Sequence, residues 1–448
     1  MENFPHHWRY YARAGFICFL ASLFYLYDFV LQVAPSVITH DLMGELGLGA
    51  TGLGIISAFF FYAYAPMQIP AGLSYDKFSP RYVIAIATAV CALGGLFFSV
   101  GHTAFTLCIG RFLTGAGAAF SFIGTLVLLT HWFPKRYFAV LAGIVQFMSA
   151  LGSILGQAPL ARAVQSAGWR PSIFTISCIG FGLAILILLC VRDYPVHAEK
   201  RSVIVKRNST RKPLGLWSVV KDSQTWAIGF YSLIIWTPAV IFAELWGVPY
   251  LMQAYHYSAA TVSGLMMWYW LGMGIGSPLA GWLSNMVKTR KKILSSCLIL
   301  ALLSVYVVVY GPTLSYVGLA IWLFLFGLGA AGQSLAFAVV QDRNNPATVG
   351  TAIGINNMFV VISGAIFQPI ASVLLSSAWD GQKLQGAPIF TVQNYQIALA
   401  ILPVVFVIGW FLVRFWLKET FVVDDFAKVA IDGNGAAGVI SGTPLKKL

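Results

Sequence analysis

Twelve runs of about twenty predominantly apolar residues follow one another along this chain of 448 residues, at about 14–38, 51–73, 81–101, 104–130, 138–160, 171–191, 225–251, 258–283, 293–311, 314–340, 349–376 and 393–417. As a helix, each is long enough to cross the ~30 Å hydrocarbon core of a bilayer. The runs are apolar all round and rich in glycine, whereas barrel strands would alternate with period two. The fold class is therefore an all-α membrane protein with twelve transmembrane helices. Charged residues make up only 10% of the chain, against about 25% in ordinary soluble proteins.

The net charge of +13 follows topology. Arg9, Arg13, Lys77, Arg81, the cluster from Arg192 to Lys221, Lys288 to Lys292, Arg343, Arg414 and Lys418 fall on one side of the spans. Only Arg162, Arg170 and Lys383 fall on the other. Basic residues concentrate on cytoplasmic loops, which puts both termini in the cytoplasm and makes nucleic-acid binding an unneeded explanation. All six cysteines lie within predicted helices, so no disulfide framework or metal spacing emerges. The first apolar run is too long for a signal-peptide core.

Residues 192–222 are polar and basic, and they divide the chain into a six-helix bundle at 1–191 and another at 223–420. A tail at 421–448 has a disordered composition. The halves repeat. Phe112-Leu-Thr-Gly-Ala-Gly-Ala-Ala119 returns as Phe324-Leu-Phe-Gly-Leu-Gly-Ala-Ala331, and Pro134 returns as Pro346. Gly143, Gln146 and Gln157 correspond to Gly354, Asn357 and Gln368, while Asp28 and His40 correspond to Glu244 and His256. A duplicated membrane protein places its working site between the halves.

Asp28, Glu244 and Arg111 are the charges inside the spans, and such residues mark pathways, pairs or proton sites. At 1.5 Å rise per residue all three lie ~10–14 Å below the outer edge, so pairing of Arg111 with an acid is sterically open. Tyr25, Asp28 and Gln32 recur at i, i+3 and i+7, predicting one polar stripe on helix 1. The embedded amides Gln146, Gln157, Gln333, Asn356, Asn357 and Gln368 are either shared cavity lining or interhelical hydrogen-bonding groups. Trp268, Tyr269 and Trp270 are either cavity walls or ordinary packing. His40 and His256 fall near the outer surface, where they could sense external pH.

Gly72-Leu-Ser-Tyr-Asp-Lys-Phe-Ser-Pro-Arg81, between helices 2 and 3, resembles the signature loop of the major facilitator superfamily. Gly72, Asp76, Lys77 and Arg81 match, whereas Ser74 and Ser79 depart from the pattern. Gly281 to Arg290 is a worn copy with Asn285 in place of the acid, and Arg111 to Ala119 is similar to the superfamily's helix 4 motif. The resemblance implies two pseudo-symmetric six-helix bundles rocking around a midplane cavity. It also implies a latch at Gly72, Asp76, Lys77 and Arg81 that holds the cytoplasmic side shut, with Gly72 letting helix 2 approach a neighbour. Gly143, Gly152 and Gly156 partly resemble the antiporter pattern, but Gln157 replaces its proline, which counts against drug antiport. Tyr27-Asp28 with Leu31-Gln32, and Phe242 to Tyr250, locally resemble the lysosomal dipeptide transporter branch and its bacterial relatives.

The function expected is secondary active transport of a small polar organic solute across a bacterial inner membrane by a monomer, coupled to protons. An amino acid or short peptide would suit two acids and one arginine; an organic anion or sugar acid is the alternative substrate. A solute sensor with a transporter fold is the alternative of another class. No P-loop, zinc signature or nucleophile motif appears, so neither an enzyme nor a cofactor is expected.

Overall fold

The computed structural model describes residues 7–133, 138–194, 216–344, 349–384 and 387–420. Most of the basic linker (195–215), the tail from 421, Pro134 and Pro346 lie outside the described residues, as do the side chain of Asp76 and the surroundings of Gly143.

The first bundle holds helix 1 (Tyr10–Val37), helix 2 (Ala50–Tyr75), helix 3 (Pro80–Val100), helix 4 (Ala104–Trp132), helix 5 (Ile144–Ala167) and helix 6 (Trp169–Cys190). The second holds helix 7 (Ser223–Tyr255), helix 8 (Ala259–Val287), helix 9 (Arg290–Tyr310), helix 10 (Tyr316–Arg343), helix 11 (Thr351–Ser377) and helix 12 (Val392–Trp416). Eleven of these are apolar enough to span by length and composition. Helix 8, with 29 residues, is long enough too, but Trp268, Tyr269, Trp270 and Trp282 lower its hydropathy. A two-residue hairpin, Lys383–Leu384 against Ala387–Pro388, packs on the short helix Thr39–Leu46 at the face distant from the termini.

The repeated glycines explain how each bundle closes. A Cβ on Gly115 in helix 4 would stand 2.0 Å from the Phe60 carbonyl oxygen of helix 2. One on its counterpart Gly327 in helix 10 would stand 1.9 Å from the Tyr269 carbonyl oxygen of helix 8. Such backbone approach is what small residues permit in membranes, where helices associate by packing rather than by hydrophobic expulsion. Both helices break just after these glycines, at Ala119–Phe120 and at Ala331. Helix 5 breaks as well, between Leu155 and Ala158, so that Gln157 leaves the helical path.

The bundles meet through helices 1, 2 and 5 of one and 7, 11 and 8 of the other. Among the described residues, every hydrogen bond between bundles lies in the half distant from the termini. Thr51 Oγ1 donates to Ser376 Oγ (2.8 Å), Gln32 to Glu244 and Gln157 to helix 7. Gly54 faces Ser372, and Gly364 faces the Phe61 ring.

On the side of the termini the halves share an anchoring device that the sequence reading missed. Ser79 Oγ and the Arg81 backbone N–H donate to Asp193, which follows helix 6. In the other half, Thr289 Oγ1 and the backbone N–H groups of Arg290 and Lys291 donate to Glu419, which follows helix 12. Each carboxylate sits at a helix N-terminus, where exposed N–H groups and the helix dipole favour negative charge.

Two outcomes are expected. Gly327→Val must displace the Tyr269 backbone, so purified protein should melt several degrees lower, by a cost of about 1–3 kcal/mol or more. On the distant face Arg170 pairs with Glu45 at 2.7 Å, and Trp169 Nε1 donates to the same carboxylate. The hydrogen bond from Arg170 holds the Glu45 carboxyl below its ordinary range. The pair's contribution is therefore present above the ordinary glutamate pKa and lost as pH falls through the lowered one. Glu45→Gln should remove that acid-side loss from a melting-temperature series run against pH.

Candidate functional site

A small cavity of about 40 Å³ lies between the bundles. Helix 1 supplies Tyr25, Phe29 and Gln32, and helix 5 supplies Gln146. From the other half come Gln333 on helix 10 and Asn357 on helix 11. Aromatic rings of helices 2, 4, 7 and 10 complete the wall, among them Phe60, Tyr64 and Trp236. Five of the residues named from sequence thus converge here: Tyr25, Gln32, Gln146, Gln333 and Asn357. Tyr25 Oη donates to Gln146 Oε1 at 3.5 Å, a long contact that leaves both groups free to turn toward a ligand.

The polar stripe on helix 1 is narrower than expected. Asp28 is 1% exposed, and its Oδ2 accepts a hydrogen bond from Ser121 Oγ at the restart of helix 4. Three residues past Tyr25 is ~60° short of a full turn, enough to swing Asp28 out of the cavity wall. Its Oδ1 has no hydrogen-bond partner. Gln333, the counterpart of Ser121 by the repeat, faces the cavity instead.

Arg111 forms no ion pair with either acid. Its Nη1 donates to the Leu31 carbonyl at 2.8 Å and its Nη2 to the Ser57 carbonyl at 3.5 Å, while the guanidinium lies 4.8 Å from the Phe60 ring centroid. It is therefore a buried cation behind the aromatic wall, next to Gln32 along the chain from Leu31.

Glu244 sits where helix 7 loosens. Pro238 ends the α-helical stretch, and Ala239–Trp246 forms a π-helical segment, a feature frequent at functional sites. Glu244 Oε1 accepts from Gln32 Nε2 at 2.8 Å across the bundle interface, and Oε2 has no hydrogen-bond partner. Gln157 and Gln368 are not cavity residues. Gln157 Nε2 donates to the Ala243 carbonyl at 3.0 Å, and Gln368 Nε2 donates to the Val240 carbonyl at 2.9 Å. The two repeat-related amides thus bond helix 7 rather than lining a shared cavity.

Asn356 accepts from Ser232 inside the second bundle. Tyr269 and Trp270 are packed away and Trp268 is partly exposed, so none of the three walls the cavity, although Trp270 meets Phe29 edge to face. Gln68, one turn beyond Tyr64, is buried with neither amide atom hydrogen-bonded, and its i+4 spacing from a tyrosine was the available signal. At the signature loop, a Cβ on Gly72 would meet nothing within 4 Å, so this glycine permits no close approach in this conformation. Lys77 is exposed, and Arg81 Nε donates to the Leu188 carbonyl of its own bundle. Asn285 accepts from Arg290, which pairs with Asp342. No group of His, Cys, Asp and Glu suited to a metal occurs among the described residues.

A family model described as Major Facilitator Superfamily matches residues 17–368, with a further match over 246–430. The chain belongs to this superfamily. Its members are transporters, and the sequence is similar to a probable hexose phosphate transport protein of Chlamydia pneumoniae, 23% identical over 84% of this chain and 87% of the relative. It is also similar to a hexuronate transporter of Bacillus subtilis, 24% identical over 78% of this chain and 84% of the relative. In fold it resembles a bacterial homologue of the human lysosomal transporter Spinster, solved inward-facing and occupied. The TM-score is 0.70 at 13% identity, covering 89% of this chain and 96% of that one. This major facilitator is therefore a multi-pass membrane transporter rather than an enzyme. The amino acid or peptide substrate expected from two acids and one arginine finds no support in these relatives. The geometry agrees, since the acids do not flank one ligand position.

Gln32→Leu should weaken the closed half, because it leaves Glu244 buried without its donor. A hydrogen bond of this kind contributes about 1–2 kcal/mol, roughly a tenfold shift in population. Spin labels at the exposed positions 40 and 382, in a cysteine-free background, should report a larger share of long distances.

Proposed function

We propose that this facilitator imports a small hydroxylated organic anion together with protons, by alternating access across a bacterial inner membrane. On this reading both termini are cytoplasmic and the monomer is the working unit. The observation that carries it is the wall of neutral amides, Gln32, Gln146, Gln333 and Asn357, backed by Arg111, the one buried cation among the described residues. Amides and tyrosines both donate to and accept from hydroxyl groups, while Arg111 attracts an anion through space in a low-dielectric surround. The relatives named as hexose phosphate and hexuronate transporters also concern sugar-derived anions.

Asp28 and Glu244 are the proposed proton carriers. Each has one carboxylate oxygen engaged and one without a partner, the arrangement in which a proton can be held at the open oxygen. Glu244 also bridges the bundles through Gln32, so its protonation changes a bond that must break when the distant side opens. Gly72, Asp76, Lys77 and Arg81 remain the proposed latch. It would form in the outward-open state, once the bundle ends near the termini come together and Gly72 gains a neighbour.

Uptake into proteoliposomes under an inward proton gradient tests the reading. Hexuronate or a related acid should accumulate in the wild type. Asp28→Asn should abolish gradient-driven accumulation while leaving insertion and substrate exchange largely intact. Unimpaired accumulation by that variant would remove Asp28 from coupling.

A further inference from the structure

Among the described residues, no cationic side chain lines the cavity. Its wall is amide, phenol, aromatic ring and aliphatic carbon, and the nearby charges all stand one layer back. Arg111 lies behind Phe60, Glu244 behind Gln32, and Asp28 against Ser121. Both primary amines of the Arg111 guanidinium are already directed at backbone carbonyls, so it acts at a distance and cannot offer the bidentate fork that grips phosphate.

Formal charge then limits the cargo. With both acids ionised the three buried groups sum to −1, and with both protonated they sum to +1. A monoanion can therefore be brought to neutrality inside this cavity. A phosphate monoester dianion leaves at least one uncompensated negative charge under every protonation state, in an environment that penalises unpaired charge severely.

We propose that this transporter carries monoanionic hydroxy acids and rejects phosphate monoesters, in contrast to the relative named as a probable hexose phosphate transport protein. The inference rests on the organic-anion reading above and narrows it. Gln32, Gln146, Gln333 and Asn357 are specificity residues on this account because they are uncharged: they reward hydroxyl groups without supplying the second positive charge that a dianion requires.

The test uses the full chain in proteoliposomes with a membrane potential and a proton gradient, at an external pH of about 7.5, where a phosphate monoester with second pKa about 6 is a dianion. Two matched pairs are compared: glucuronate with glucose 6-phosphate, and glycerate with 3-phosphoglycerate. At least one carboxylate should accumulate tenfold or more above its phosphorylated partner. Phosphate esters accumulating as well as the carboxylates would overturn the inference and leave organic-anion transport standing. Failure of all four to accumulate would overturn both. Gln333→Arg places a second cation on the wall and should narrow the ratio about tenfold toward the phosphate ester. An unchanged ratio in a variant that still transports the carboxylate would overturn the charge-count explanation. The wild-type comparison decides the matter even if that variant does not fold.

Discussion

Three glutamines hold one loosened stretch of helix 7, and the arrangement of the two bundles depends on it. Gln368 bonds the Val240 carbonyl from within the same bundle, Gln157 bonds the Ala243 carbonyl from the opposite one, and Gln32 bonds the Glu244 carboxylate. A π-helical segment shifts carbonyls out of their usual pairing, and hydrocarbon offers no water to replace it. The sequence meets that demand with amides on helices 5 and 11, and the amide on helix 1 adds a bond to the Glu244 side chain. Two of those helices belong to the other half of the molecule, so the same bonds that repair helix 7 also define the closed side.

The repeat accounts for the frame but not for the site. Gly115 and Gly327 perform the same packing task on helices 2 and 8, and Asp193 and Glu419 perform the same capping task beneath them. At the centre the copies have diverged. Ser121 holds Asp28 inside its own bundle, whereas its counterpart Gln333 turns to the cavity, and Glu244 looks across the interface. Arg111 corresponds to Leu323, so the cation has no twin. The proposed function rests on the positions where the symmetry is broken.

What could be read from sequence follows from how local the signal is. The spans, the glycine repeat and the embedded amides depend on windows of a few turns, and they agree with the structure to within a few residues, except that helix 5 breaks near Gln157 and runs on to Ala167. Five cavity residues were accessible in the same way, because an amide deep in an apolar run has few explanations. Helix rotation was not accessible. A displacement of ~60° separates lining the cavity, as Tyr25 does, from facing helix 4, as Asp28 does. Nor could spacing show that Arg111 would choose backbone carbonyls over carboxylates. The loosening of helix 7 left only Pro238 as a trace, and the capping acids lay in segments that composition marks simply as polar.

The capping carboxylates have a mechanical meaning as well. Asp193 ties the end of helix 6 to the start of helix 3, and Glu419 ties the end of helix 12 to the start of helix 9. Each bundle is thereby stapled at its base between its last helix and its middle one. A staple there removes slack between the helices it joins. In the proposed alternating access, each bundle would then tilt as one stiff body while its interior stays unchanged.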